Sequence, residues 1–283
     1  MQKKYDPQKA QQKSYVRRHN ASFRGKKIIA NQKLRQFVDG ALSDGQSPEA
    51  IAGRLKHQEK HLLTVSRHTI ERYRQSPYGK LIGIKLKPEK RPGRPKRKTK
   101  LTDRTFIDKR PKKANERLRV GDVEADFIVS GKSGHGVLLV AVCRKLRITF
   151  MRRIHDVGID EVHKTFLKVQ KRFPEIKTLT LDNDILFKMH KTLEKLLGIK
   201  IYFCHAYHSW EKGSVENTNK IIRKFIPKGS DLAQYDDNYI RQIEKHLNNR
   251  FMECLKYATP TEAIKKHRRR IKKQRRGAGS RET

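Results

Sequence analysis

Apolar residues recur along this chain with different periods in different stretches, and each period implies a different element. Residues 1–27 show no hydrophobic period and read as a basic arm or frayed helix that orders only on a partner. From Ile28 a helical spacing sets in: Leu34, Phe37, Val38, Ala41 and Leu42 fall on one apolar helix face. At residues 47–55 Ser47 can cap, Pro48 suits the first helical position, and Ile51 and Leu55 share a face. Ser66 caps a third helix that buries Ile70 and Tyr73 while exposing Arg67, His68, Glu71 and Arg72. Three helices of this order and length predict a small all-α helix-turn-helix DNA-binding domain over residues 28–79, with generic three-helix packing as the plainer alternative.

Residues 80–117 read as a linker, because Pro88, Pro92, Gly93 and Pro95 break regular structure. At Val123 the period becomes strand-like. Residues 123–129 alternate, 136–143 form a continuous apolar run, and 147–154 follow after a short turn, which predicts an antiparallel meander. Val162, Phe166 and Val169 return to helical spacing, residues 177–181 form a strand, residues 187–198 a helix closing on Gly198, and 200–204 a fifth strand. This order predicts an α/β fold of the ribonuclease-H-like kind, a mixed five-stranded sheet flanked by helices, over residues 118–264. Ser214 starts a helix within it, Asp237 to Asn249 form another, and Thr259-Pro260-Thr261-Glu262 is a capping box. Residues 265–283 read as a solvated basic tail.

Charge then narrows the choice of partner. Across 283 residues, 68 Lys and Arg face 29 Asp and Glu, a formal charge of +39 at pH 7, which demands a polyanion. No apolar run approaches the roughly 20 residues of a membrane span and the start lacks a signal-peptide core, so double-stranded DNA is expected rather than a membrane. The segment Arg91-Pro92-Gly93-Arg94-Pro95-Lys96 has the Gly-Arg-Pro core of a minor-groove hook and is assigned to DNA. Cys143, Cys204 and Cys254 are odd in number and far apart, which excludes a disulfide framework and suits a reducing cytosol. Cys204, His205 and His208 cluster, but the second ligand pair of a zinc site is missing, and none is expected.

Three acids carry the candidate chemistry. Phosphoryl transfer on DNA is served by two divalent ions roughly 3.5–4 Å apart, and converging carboxylates must hold them. Asp126 lies mid-strand on the face shared by Glu124 and Ile128, opposite Val123, Ala125, Phe127 and Val129, where a charge is costly unless paired or metal-bound. Asp182 ends the fourth strand, at the carboxyl edge where sheets open crevices. Glu216 falls in the first turn of the next helix, on a stripe with Asn219, Lys220 and Arg223, while Val215, Ile222 and Phe225 face the core. Each acid alone has an ordinary structural reading; their conjunction on one fold favours a catalytic triad.

At residues 207–231 the run Tyr-His-Ser-Trp-Glu-Lys-Gly-Ser-Val-Glu-Asn-Thr-Asn, continuing to Pro-Lys-Gly-Ser-Asp, resembles the signature block of the insertion sequence 30 family of bacterial DDE transposases. The 33 residues between Asp182 and Glu216 agree with that family's interval, and residues 47–55 and 247–263 are similar to further family segments. The resemblance implies a catalytic triad of Asp126, Asp182 and Glu216 holding Mg2+ or Mn2+, two ions in all. It also implies strand cleavage and transfer at element ends and a homo-oligomer on DNA, in the bacterial cytoplasm with the nucleoid. Lys212, Lys220 and Arg223 are expected on phosphates. Departures stand at Asp122, Val123 and Ala125, where the family favours His, Trp and Gly, and at Asp184, where it has Gly. Members usually carry a further helix-turn-helix ahead of the point where this chain starts, so truncation, splitting or a misassigned start is expected. The competing readings are a decayed copy that binds DNA without cutting and a ribonuclease-H-like nuclease or resolvase.

Overall fold

The computed structural model describes residues 6–22, 26–82, 103–131, 134–205 and 208–279. They belong to two units, Met1–Leu86 with Phe251–Ala258, and Lys87–Arg250 with Thr259–Thr283. Arg91, Arg94 and Lys96 lie outside the described residues.

In the first unit the helices are α1 (Pro7–Ser22), α2 (Lys26–Ala30), α3 (Gln32–Ser43), α4 (Pro48–His57), α5 (Arg67–Gln75) and the single turn α6 (Pro77–Lys80). The helical spacing is realised in one core of Leu34, Val38, Ala41, Leu42, Ile51, Leu55, Ile70 and Tyr73, completed by Ile28 and Val65. Ser47 Oγ accepts from Ala50 N at 3.2 Å and Ser66 Oγ from Thr69 N at 3.3 Å, so both caps form as expected. Asn31 caps α3 in the same way. The first arm differs from expectation, because residues 7–22 are helical. Asp6 accepts the N–H groups of Gln8 and Lys9 at 3.1 and 3.2 Å and Pro7 occupies the first position. Through Arg17 that helix is mostly exposed, so capping and propensity sustain this stretch of it.

Residues 251–258, assigned from sequence to the catalytic core, belong to this helical unit. Phe251 stacks on Phe37 with centroids 6.3 Å apart, Gln46 Oε1 accepts from Phe251 N, and Arg54 donates to the Tyr257 carbonyl at 3.2 Å. Gly53 makes room for the Tyr257 ring: a Cβ there would stand 2.2 Å from it. Gly53→Ala should therefore destabilise this unit by about 1–3 kcal/mol through overpacking, even though Ala gains ~1 kcal/mol of helix propensity. Thermal unfolding at unchanged or higher midpoint would refute that packing.

The second unit is built on β1 (Asp122–Val129), β2 (Val137–Cys143), β3 (Thr149–Ile154), β4 (Thr178–Leu181) and β5 (Lys200–Phe203). Their order is β3-β2-β1-β4-β5, with the first three antiparallel and β1, β4 and β5 parallel, an arrangement compatible with a ribonuclease-H-like fold. After the short α7 (Lys112–Asn115) come α8 (Ile159–Arg172), α9 (His190–Leu197), α10 (Gly213–Ile222), α11 (Asp237–Asn248) and α12 (Pro260–Gly279). Strand alternation splits the core in two. Val123, Ala125, Leu139, Leu179 and Ile201 pack with Phe166 of α8 and Leu193 of α9 on one face. Ile128, Leu138, Val140 and Met151 pack with Val215 and Ile222 of α10 and Ile243 of α11 on the other. Val129, expected inside, is exposed at the strand end.

Two boundaries move. Residues 103–117, read as linker, fold onto this unit: Ile107, Arg110 and Ala114 are buried, and Phe203 N donates to the Thr105 carbonyl at 2.8 Å. Pro111 stands directly ahead of α7 there. The basic tail is helical to Gly279. Thr259 and Glu262 form the reciprocal capping box at 2.8 and 3.1 Å that starts it, and Arg268 pairs with Glu175 at 2.7 Å.

Candidate active site

Parallel pairing sets Glu124 of β1 opposite Thr180 of β4. Two residues past that point stand Asp126, within β1, and Asp182, just beyond the end of β4. Two carboxylates so placed need a counter-charge, and Lys212 supplies it. Its Nζ lies 3.2 Å from Asp126 Oδ1 and 3.3 Å from Asp182 Oδ2, and the side chain is buried. Burial opposes the ammonium's charge, but Asp126 and Asp182 outweigh it and hold the Lys212 pKa above its ordinary value. Burial and the repulsion of Asp182 push Asp126 up from the usual carboxylate range, against the pull of Lys212. Lys212, expected on phosphates, is turned inward between the two acids.

Asn219 completes the surroundings of Asp126. Its Nδ2 donates to Asp126 Oδ2 at 2.8 Å, and its Oδ1 is buried without a hydrogen-bond partner. Glu216, one turn earlier on α10, is half-exposed and pairs with Lys220 Nζ at 2.9 Å. No hydrogen bond or ion pair among the described residues joins it to either aspartate. Arg223 donates to the Pro227 carbonyl at 3.2 Å; burial lowers its pKa, and the nearby Asp126 charge works the other way. Asp182 Oδ1 accepts from Asp184 N at 3.3 Å, and Asn183 Nδ2 donates to the Cys204 carbonyl at 3.0 Å, fixing the turn after β4.

Sequence reading missed the residue that positions α10. Glu124, fully buried, accepts the N–H groups of Ser214 and Val215 at 2.9 and 3.0 Å, so the free donors of the helix start end on a strand carboxylate. Its other oxygen pairs with the buried Arg144, which also donates to the carbonyls of Ala114 and Asn115 at 3.2 and 3.1 Å. The only available signal was a second acid on the polar face of β1.

These donors fit divalent cations. Hard carboxylate oxygens from two strands are already reached by a single cationic atom, and an amide oxygen beside them lacks a donor. In the helical unit Arg67, His68 and Arg72 are exposed on α5, with Arg67 3.9 Å from both Glu49 and Glu71.

No family model matches the chain. It is 35% identical over 271 residues to the transposase for insertion sequence element IS4351 of Bacteroides fragilis, covering 92% of this chain and 81% of that protein. It is 35% identical over 170 residues to the probable transposase for insertion-like sequence element IS1161 of Streptococcus salivarius, covering 60% and 47%. With the transposase InsI of insertion sequence element IS30A of Escherichia coli it shares 32% over 164 residues, 57% of this chain and 42% of that one. The match thus spans less than half the length of the last two.

Proposed function

Since the chain belongs to the insertion sequence 30 family of transposases, we propose that it is a DDE-class enzyme that cuts and rejoins DNA at the ends of its element. Asp126, Asp182 and Glu216 are its carboxylate triad and would hold two divalent ions, Mg2+ or Mn2+. Such ions, when bound, activate the attacking oxygen and stabilise the leaving one. The chain's own groups do the rest. Asn219 orients Asp126 through the bond from its Nδ2. Lys212 offsets the charge of the two aspartates and supplies a cation beside them for a phosphate. Lys220 and Arg223 hold the strand along α10, so that water attacks first and the freed 3′-hydroxyl then attacks the target.

Three helices with an exposed basic face, Arg67, His68 and Arg72, support the reading of the first unit as a helix-turn-helix that binds element ends. No helix among the described residues is long and apolar enough to cross a membrane. The enzyme works as a homo-oligomer on the DNA of the bacterial cytoplasm. The observation that carries the reading is the pair Asp126, on β1, and Asp182, directly after the parallel β4, both reached by one ammonium.

Purified protein with end-bearing DNA and Mg2+ or Mn2+ should nick at the element ends and leave a 3′-hydroxyl, and chelation should abolish the product. Intact DNA under metal, or chelator-resistant nicking, would overturn it. Binding should also be steeply salt-dependent, with log K falling against log salt at a slope of about −7 for about eight neutralised phosphates. A slope near zero would contradict the role given to the charge of +39.

A further inference from the structure

Between β5 and α10 lies a second cluster of ligating groups that the phosphoryl-transfer chemistry leaves unused. His205, His208 and Glu211 each present one ligand atom, and the three atoms lie within 4.8 Å of one another. Glu211 Oε1 is 3.0 Å from His205 Nδ1 and 3.3 Å from His208 Nδ1. Ligands about 2.1 Å from a tetrahedral ion stand about 3.4 Å apart, so both spacings are close to those such an ion would impose.

Further contacts hold the orientations of Glu211 and His205. Glu211 Oε2 accepts the His205 backbone N–H at 2.8 Å, which turns Oε1 toward the two imidazoles. His205 Nε2 is 2.9 Å from Asp108 Oδ2, and its ring stacks on Phe106 with centroids 5.1 Å apart. A carboxylate on the far nitrogen of an imidazole selects the tautomer whose near nitrogen can ligate, the usual outer partner of a metal-bound histidine. Cys204, the ligand considered from sequence, is buried and is not among the three groups whose ligand atoms converge. Its place is taken by Glu211, so the spacing is His-x2-His-x2-Glu, without a cysteine pair.

We infer that His205, His208 and Glu211 bind one transition-metal ion of the Zn2+ type, apart from the carboxylate triad, and so clasp the loop between β5 and α10. Two imidazoles and a carboxylate are a zinc donor set that leaves a fourth position for water. Binding requires both imidazoles to be neutral, so metal affinity falls as they are protonated. The clasp ends one residue before Lys212, so the ion would hold in place the backbone from which that side chain reaches Asp126 and Asp182.

The test needs no DNA and is independent of the transposase reading. Full-length protein is loaded with Zn2+, desalted and assayed for zinc, in parallel with the Co2+ form read by visible absorption. One zinc per chain and a Co2+ band of four-coordinate strength are expected. Both should be lost in His208→Ala and in Glu211→Gln, and both retained in the double variant Asp126→Asn, Asp182→Asn. His208 is exposed, so its variant should keep the metal-free circular dichroism of the parent. Equal zinc in parent and His208→Ala, loss of the ion in the aspartate double variant, or only the weak Co2+ spectrum of an octahedral site would each overturn the inference.

Discussion

Asp182→Asn is expected to lower strand cleavage at element ends by at least about 10^3-fold, on the order of 4 kcal/mol of transition-state stabilisation, while end binding stays at parental strength or slightly above it. The substitution keeps size and one oxygen but removes a charge that shares Lys212 with Asp126. A site that must collect cations loses half of its strand-borne charge, and raising Mg2+ cannot restore a missing ligand. Folding should survive, because the bond accepted from Asp184 N can be made by the amide oxygen. Asp184→Gly is the matched control. Asp184 Oδ1 only accepts from Leu186 N at 3.0 Å, a turn contact, so cleavage should stay within about threefold, well under the ~1.4 kcal/mol of a decade. Undiminished cleavage in Asp182→Asn would remove the aspartate pair from the mechanism.

Much of this arrangement was legible in the sequence because period and chemistry agreed. Alternation in residues 123–128 separated Val123 and Ala125 from Glu124, Asp126 and Ile128, and the two core layers divide at those positions. The caps at Ser47, Ser66 and Thr259 were equally readable, since each is a contact over three residues. Long-range pairing was not. Nothing local announces that Lys212 folds back over the residues separating it from Asp126, or that Glu124 receives the start of α10. Both contacts exist only once β1 and β4 are adjacent. Residues 251–258 were misassigned for the same reason: Phe251 and Tyr257 carry no period, and their partners Phe37 and Gly53 lie some 200 residues earlier. Composition misled at residues 103–117 and in the tail, where basic and proline-containing stretches found partners such as Thr180 for Arg110 and Glu175 for Arg268.

Arg144→Ala should be the most destabilising single change in the sheet unit, by about 3–5 kcal/mol, because it leaves the Glu124 carboxylate buried with its counter-charge removed. Desolvating both ions is what makes the intact pair only modestly favourable, and that cost persists for Glu124 when its partner goes. Two backbone donors, Ser214 N and Val215 N, still reach Oε2, which holds the loss within that range. The carbonyls of Ala114 and Asn115 also lose the Arg144 guanidinium, so α7 should loosen as well. A drop of roughly 10 °C in the melting of this unit follows for its size. Since α10 carries Glu216 and Asn219, cleavage should fall with it even at temperatures where the variant stays folded, whereas end binding through α5 should persist. Pairing the change with Glu124→Leu separates the two effects. The double variant should regain part of the lost stability, because no charge is left buried, yet it should stay poor in cleavage, because no carboxylate receives the start of α10. Recovery of cleavage in the double variant would mean that Glu124 serves stability alone and has no part in placing the helix.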